Sequence, residues 1–479
     1  MSICQEDICF TSAIDLLRLY DSGELRPTEV VQIVLDRVER LDPLVHAFIT
    51  PTPDVALEAV RAAEVRRSSG FVPLPLDGVP VTVKDLTDTA GIRTTYGDPE
   101  NLHHIPTFDP PMWARIKAAG PSLIGKTSTP PYGWLGVTEN EIVGTTNNPW
   151  NRECVVGGSS GGAAAALASG LAPVATGSDG GGSIRIPAAC CGVVGLKPSH
   201  GRVPRGPEEN AFCTVGAVGP MARTVADTAL MLSIMAGPVE DEPYMLPEKG
   251  VDYVASLRAE NVRRCKIAYS PDLGRGPVDS EVAKVVAAAV SRFDADLQCT
   301  VDSVLVKIPD PVDYFRSYWT PALRRVVVDM PNFAATFARH YPFHQRLVEG
   351  CKIDLDKFWT IMTEERANTF SAIASIFATY DYLMLPTMPT AAFPHAGPLG
   401  GPAVIDGQSV EWPGIEFHRL TEPFSHTGHP AISVPCGFTS AGLPVGLQIV
   451  GRQRDDAGVL RMAAAWEAIA PWADRRPSL

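Results

Sequence analysis

The sequence predicts an α/β fold, a sheet covered by helices on both faces, and three observations carry that prediction. Short β-rich runs such as Val79–Lys84 and Ala431–Val434 alternate along the chain with helical stretches such as Thr28–Leu41 and Val278–Asp296. The Ala-rich stretch Gly161–Leu171 leads straight into Ala172–Thr176, which reads as a buried strand. The chain has 479 residues, 45% hydrophobic and 20% charged, an ordinary globular composition with length for a large core.

Taken in order, the first 70 residues read as helices. Val30, Val31, Val34, Leu35, Val38 and Leu41 fall on one apolar face of Thr28–Leu41. Thr52 is predicted as an N-cap with Pro53 at the first helical position, opening a helix to about Arg67, before Ser68-Ser69-Gly70. Val79–Lys84 is a predicted strand, Pro111–Ala119 a helix and Ser122–Gly125 a short strand. Between 241 and 380 the signal is mostly helical, with the amphipathic helix Val278–Asp296 and a helical reading from Trp319 to Ala378, predicting an insertion or a cap over one sheet edge. Strands return at Tyr382–Leu385, Ala431–Val434 and Leu443–Val450, and the helix Asp456–Ile469 closes the chain. Pro389–Pro413, rich in Gly and Pro, is predicted as a long loop lining a site.

A formal net charge of −13 with no Lys/Arg run argues against a nucleic-acid partner, because phosphate backbones are repelled. The opening MSICQEDICF has neither a basic nor an apolar signal region, and no run approaches ~18 apolar residues, so no membrane segment is expected. Ten cysteines without a C-x-x-C pair suggest reduced thiols in a cytoplasmic protein and no metal site.

One segment carries chemistry. Gly157-Gly158-Ser159-Ser160-Gly161-Gly162 and Asp179-Gly180-Gly181-Gly182-Ser183 bracket the Ala-rich helix and the following strand. Two serine-bearing glycine clusters free backbone N–H groups to converge on a negative charge and let a substrate approach the main chain. They could be tight turns alone, but two clusters inside a folded core call for a further reason. Neither phosphate-loop pattern fits. Gly158-Ser159-Ser160-Gly161-Gly162 matches G-x-S-x-G, which would make Ser160 a nucleophile with a downstream acid and histidine (His200, His426 and His429 follow). That reading leaves the second cluster and Lys84 without a role.

The segment resembles the amidase-signature family, whose hallmark is GGSSGG followed by D-x-G-G-S-I-R-x-P, here Gly157–Gly162 and Asp179–Pro187. Leu76–Asp85 is similar to the family's lysine-bearing strand, and Thr145–Asn151, Gly192–Pro198, Thr427–Pro435 and Gly442–Gln448 are similar to further family segments. The resemblance implies the amidase-signature fold, a large central mixed sheet covered by helices on both faces, as one domain over 1–479. Within it, 1–70 is an outer helical layer, 71–240 the catalytic core, 241–380 the insertion or cap and 381–479 the C-terminal core strands and helix. It implies an amidohydrolase that cleaves a C–N bond of a small-molecule amide or carbamate through an acyl-enzyme.

By the same resemblance Ser183 is the nucleophile, Ser159 the bridging serine after a cis peptide bond, and Lys84 the base. The chemistry agrees: a serine hydroxyl needs a base, and a lysine, ordinarily near ~10.4, serves only when burial favours its neutral form. The buried-looking strand before Lys84 supplies that setting. Backbone N–H groups of Gly180, Gly181, Gly182 and Ser183 are placed to form an oxyanion hole. The family usually has a non-glycine residue where Gly180 stands, so glycine here implies a looser loop. Asp179 and Arg185 read as a scaffold pair and Ser160 as a supporting hydrogen-bonder; all ten histidines read as non-catalytic. Tyr132, Trp134 and Cys190 are the candidate substrate-binding residues, Cys190 because the family often carries phenylalanine there. No cofactor is implied, and a monomer or homodimer is expected. Two rivals share the motif. One is the A-type glutamine amidotransferase component of a tRNA-amidating complex, whose C-terminal half Trp412–Thr427 does not resemble. The other is a catalytically dead binding protein, which the presence of Lys84, Ser159 and Ser183 opposes.

Overall fold

The computed structural model describes residues 4–206, 213–258, 262, 264–329, 355–395 and 400–479. Among them, eleven strands form one mixed sheet. In chain order these are β1 (Phe48–Pro51), β2 (Pro80–Lys84), β3 (Ser122–Thr127), β4 (Val174–Asp179), β5 (Val194–Lys197), β6 (Ala217–Ala222), β7 (Lys266–Tyr269), β8 (Thr300–Ser303), β9 (Tyr382–Pro386), β10 (Ala431–Phe438) and β11 (Pro444–Val450). Their order across the sheet is β1-β3-β2-β4-β6-β5-β10-β11-β9-β7-β8.

Connection length sets strand direction. β2 reaches β3 through the helix Pro111–Ala118, and β7 reaches β8 through the helix Ser280–Leu297, and both pairs are parallel. β10 and β11 are joined by a tight turn in which Thr439 N–H donates to the Leu443 carbonyl at 2.9 Å, and they are antiparallel.

Both faces are covered. Ile432, Val434, Leu447 and Ile449 share one core with Phe293 and Trp466 from the helices Ser280–Leu297 and Asp456–Ile469. On the other face the helices Gly161–Ala168 and Arg185–Cys191 pack with Val31, Val34 and Val38 of the helix Pro27–Val45. Every residue of Gly161–Ala168 is buried. Small side chains allow that: a Cβ on Gly162 would run into the backbone of Ser128 and Ala47.

Several expectations are corrected. The first 70 residues are not all helical, since the four-residue β1 pairs antiparallel with β3; it is too short to show a period. Thr52 does stand at the N-cap of the helix Pro53–Ser68 with Pro53 at its start, as expected, but it makes no side-chain capping bond, its hydroxyl donating to the Leu123 carbonyl at 2.7 Å. The stretch 241–380 does more than cap, because β7 and β8 extend the sheet and form its edge. The helical reading from Trp319 to Ala378 holds for Pro311–Asp329 and for 355–376, which includes one π-helical turn at Ile361–Glu365; residues 330–354 lie outside the described residues. The loop 389–413 contains a small hairpin, Val404–Ile405 with Gln408–Ser409, and its residues 396–399 also lie outside the described residues.

Candidate active site

The site forms at the C-terminal ends of β2 and β4, which are parallel neighbours with Val81 opposite Val174 and Thr82 opposite Ala175. That register carries Lys84 beside the polar end of β4. Lys84 Nζ donates to Ser159 Oγ at 2.7 Å and to Ser178 Oγ at 2.9 Å, while its backbone N–H donates to Thr176 Oγ1 at 3.3 Å. Thr176 and Ser178, two residues apart on a strand, point to one side. Lys84 is 1% exposed and Ser159 2%. The Gly158–Ser159 peptide bond is cis.

Ser160 joins the two glycine clusters. Its N–H donates to the Ser183 carbonyl at 3.1 Å, and its hydroxyl accepts from the Ser178 N–H at 3.3 Å. It is a strut between the clusters. Ser183 lines the same cavity as Ser159; among the described residues no hydrogen bond joins their hydroxyls. Such contacts commonly tighten only when substrate binds.

Behind the second cluster lies a fully buried ion pair. Arg185 Nη2 meets Asp179 Oδ1 at 2.7 Å and Arg185 Nε meets Oδ2 at 2.9 Å. Arg185 also donates to the Thr421 carbonyl at 2.8 Å, to Gln448 Oε1 at 2.7 Å and to Ser425 Oγ at 2.9 Å. Asp179 Oδ2 further accepts the backbone N–H groups of Ile184 and Arg185 at 3.2 and 3.4 Å. Burial alone would raise the Asp179 carboxyl, but the Arg185 guanidinium outweighs it and holds the group below the usual range. The pair therefore fixes the turn after Ser183. Among the described residues none accepts a hydrogen bond from the backbone N–H groups of Gly180 through Ser183.

A cavity of about 380 Å³ opens on these groups. Ser159, Ser178, Gly180, Gly181 and Ser183 line one side; Tyr132 and Trp134, as the sequence suggested, line another with Phe315 and Trp319. Cys190 does not reach it. It is 1% exposed in the core behind the cavity wall, its thiol 3.5 Å from Met388 Sδ, so its role as a pocket residue is corrected. No described residue of the loop 389–413 lines the cavity either; the helix Pro311–Asp329 takes that place.

Burial keeps the nearby histidines neutral: it brings His200 and His418 down to about 4 and His429 to about 3, and pushes His426 well below its ordinary value. Of these only His418 lines the cavity among the described residues. The residues that sequence reasoning missed are Ser178, His418, Trp319 and Glu422. The alternation of Thr176 and Ser178 on β4 could have revealed the first. Glu422 is buried and its carboxyl is raised to about 8 by burial. Nothing marks it or Trp319 in the sequence, because they meet the loop only through long-range packing.

A model of the amidase family matches residues 29–460. The chain belongs to the amidase-signature family. This amidase is 35% identical to an acylamidase of Rhodococcus erythropolis over 99% of its own length and 98% of the relative's. It is similar to the solved structure of a bacterial aryl acylamidase of the amidase-signature enzymes, with a TM-score of 0.90 and 30% identity, covering 98% of this chain and 99% of that one. It is also 33% identical to the A-type component of the glutamyl-tRNA(Gln) amidotransferase of Chloroflexus aggregans, over 96% of each chain. The amidase is thus a hydrolase acting on amide C–N bonds, on the large mixed sheet that the sequence implied. No described helix is long and apolar enough to cross a membrane.

Proposed function

We propose that this amidase cleaves small-molecule amides through an acyl-enzyme on Ser183, with Ser159 as relay and Lys84 as base. The observation that carries the reading is the 2.7 Å hydrogen bond from buried Lys84 to Ser159, in the cavity wall that also holds Ser183. Ser183 Oγ attacks the carbonyl carbon; its proton passes to Ser159 Oγ as the Ser159 proton passes to Lys84 Nζ. The tetrahedral oxyanion is received by backbone N–H groups of Gly180–Ser183, free for it among the described residues. The proton returns to the leaving nitrogen, the C–N bond breaks, and water hydrolyses the ester by the same route. Histidine carries no step, in keeping with the neutral His418 and the placement of His200 and His429 outside the cavity.

The substrate class is an aryl or aliphatic amide, and a carbamate is served by the same route. The acylamidase likeness exceeds the tRNA-amidotransferase likeness in identity and in coverage, which favours a free amide over a complex-bound glutamine site. The test uses an anilide, an N-aryl carbamate and an aryl ester sharing one reporter, with wild type and Ser183→Ala side by side. Release by wild type and none by the variant is expected, and the anilide-to-carbamate ratio then sets the class. Equal release by both would remove Ser183 as nucleophile and return Ser160 to consideration.

A further inference from the structure

Gly180 has no conformational need to be glycine, since its φ lies outside the left-handed range that Gly182, at +134°, occupies. Its neighbour explains it. A Cβ built on Gly180 would lie 3.0 Å from Trp319 Cη2 and 3.1 Å from Cζ2, so the indole rests on the loop beside Ser183 and a side chain at 180 would push it away. The other end of the indole is anchored: Trp319 Nε1–H donates at 2.7 Å to Glu422 Oε1, on a carboxyl only 1% exposed. The free oxygen of that carboxyl, Oε2, sits over Gly181, where a Cβ would collide with it. Trp319 then meets Trp134 edge to face, ring centres 5.9 Å apart at 85°, and both line the cavity.

We propose that Gly180, Trp319 and Glu422 form one specificity unit that holds the Trp319 and Trp134 indoles as a right-angled corner for an aromatic ring of the substrate. The proposal rests on the reading of Ser183 as nucleophile, which places the reacting carbonyl beside this corner. Two perpendicular ring faces offer a planar group one stacked and one edge-to-face contact at once. Such ring pairs add stabilisation beyond buried area, which an alkyl chain of equal size does not receive. Glycine at 180 is thus a requirement of the indole and not of the loop's own backbone.

The experiment measures kcat/KM on benzamide, acetanilide and hexanamide, and takes the ratio of the better aryl substrate to hexanamide. A ratio cancels any loss of folded enzyme or general damage to the oxyanion loop. Trp319→Ala is expected to lower the ratio roughly tenfold; Trp319→Leu, which keeps the wall apolar, serves if the larger truncation does not fold. Glu422→Leu is expected to lower it more than Glu422→Gln, which keeps an acceptor for the indole N–H. Gly180→Val is expected to lower it in wild type and to leave it unmoved in the Trp319→Ala background. An unchanged ratio in both Trp319 variants would overturn the proposal, as would a Gly180→Val effect of equal size in both backgrounds. Ser183→Ala is run alongside: full turnover there would sink the nucleophile assignment, a failure separate from that of the corner.

Discussion

At the scale of single residues, chemistry-bearing side chains are held by partners that the motif does not name. Lys84 meets Ser178 as well as Ser159, and Ser178 Oγ is the acceptor at 2.9 Å. A net hydrogen bond is worth about 0.5–1.5 kcal/mol, so Ser178→Ala is expected to reduce kcat several-fold, up to about tenfold. Ser183→Ala should instead abolish turnover. Steady-state kinetics on one anilide separates the two, and a Ser178→Ala enzyme with wild-type kcat would show that Ser178 does not help to hold the lysine. The two serine-bearing glycine clusters were legible because each is local, and Lys84 only through a separate family-like segment, 75 residues before Ser159. Ser178 was half-legible, through strand alternation. Cys190 was misplaced because the residue type that relatives carry at a position does not say which side of a buried helix the side chain takes in this chain.

At the scale of elements, the loop after β4 is held by a charge pair inside the protein. Removing one partner of a buried pair leaves the other charge uncompensated, at a cost of about 3–5 kcal/mol. Arg185→Ala is expected to lose that much in urea denaturation, together with activity, because Arg185 also ties the turn to the 421–425 segment. Arg185→Lys should recover little, since a single ammonium cannot reproduce the two-pronged contact with Asp179. The wholly buried helix Gly161–Ala168 makes a second expectation at this scale. Its alanines pack at 0% exposure from 163 to 166, so Ala165→Leu should destabilise the fold by about 1–3 kcal/mol through overpacking, read as a fall in melting temperature. An unchanged melting temperature would mean that the two helices on this face can separate without penalty.

At the scale of the whole molecule, burial of titratable groups gives stability a pH signature. In the unfolded chain Glu422 loses its proton near ~4.3, whereas in the fold it keeps it up to about 8. Between those values only the unfolded chain gives up the proton, so this group's contribution is lost as pH rises. His429 works oppositely: unfolded it gains a proton below ~6.5, folded only near 3, so its contribution is lost as pH falls through that window. Relative to wild type, the melting temperature of Glu422→Gln should therefore climb from pH 5 to pH 8, and that of His429→Gln should climb as pH is lowered from 6.5. Parallel curves for variant and wild type would show that neither group is held in its neutral form. The sequence alone determined the fold class, most of the core strands and helices, and the candidate glycine clusters with their serines, because those depend on local periodicity and on one contiguous motif. Only the tertiary structure decided that β7 and β8 extend the sheet, that Thr52 spends its hydroxyl on Leu123, and that Trp319 and Glu422 close on the glycine loop. Those outcomes turn on which distant segments meet, and burial and pairing across a hundred residues leave no periodic trace in the chain.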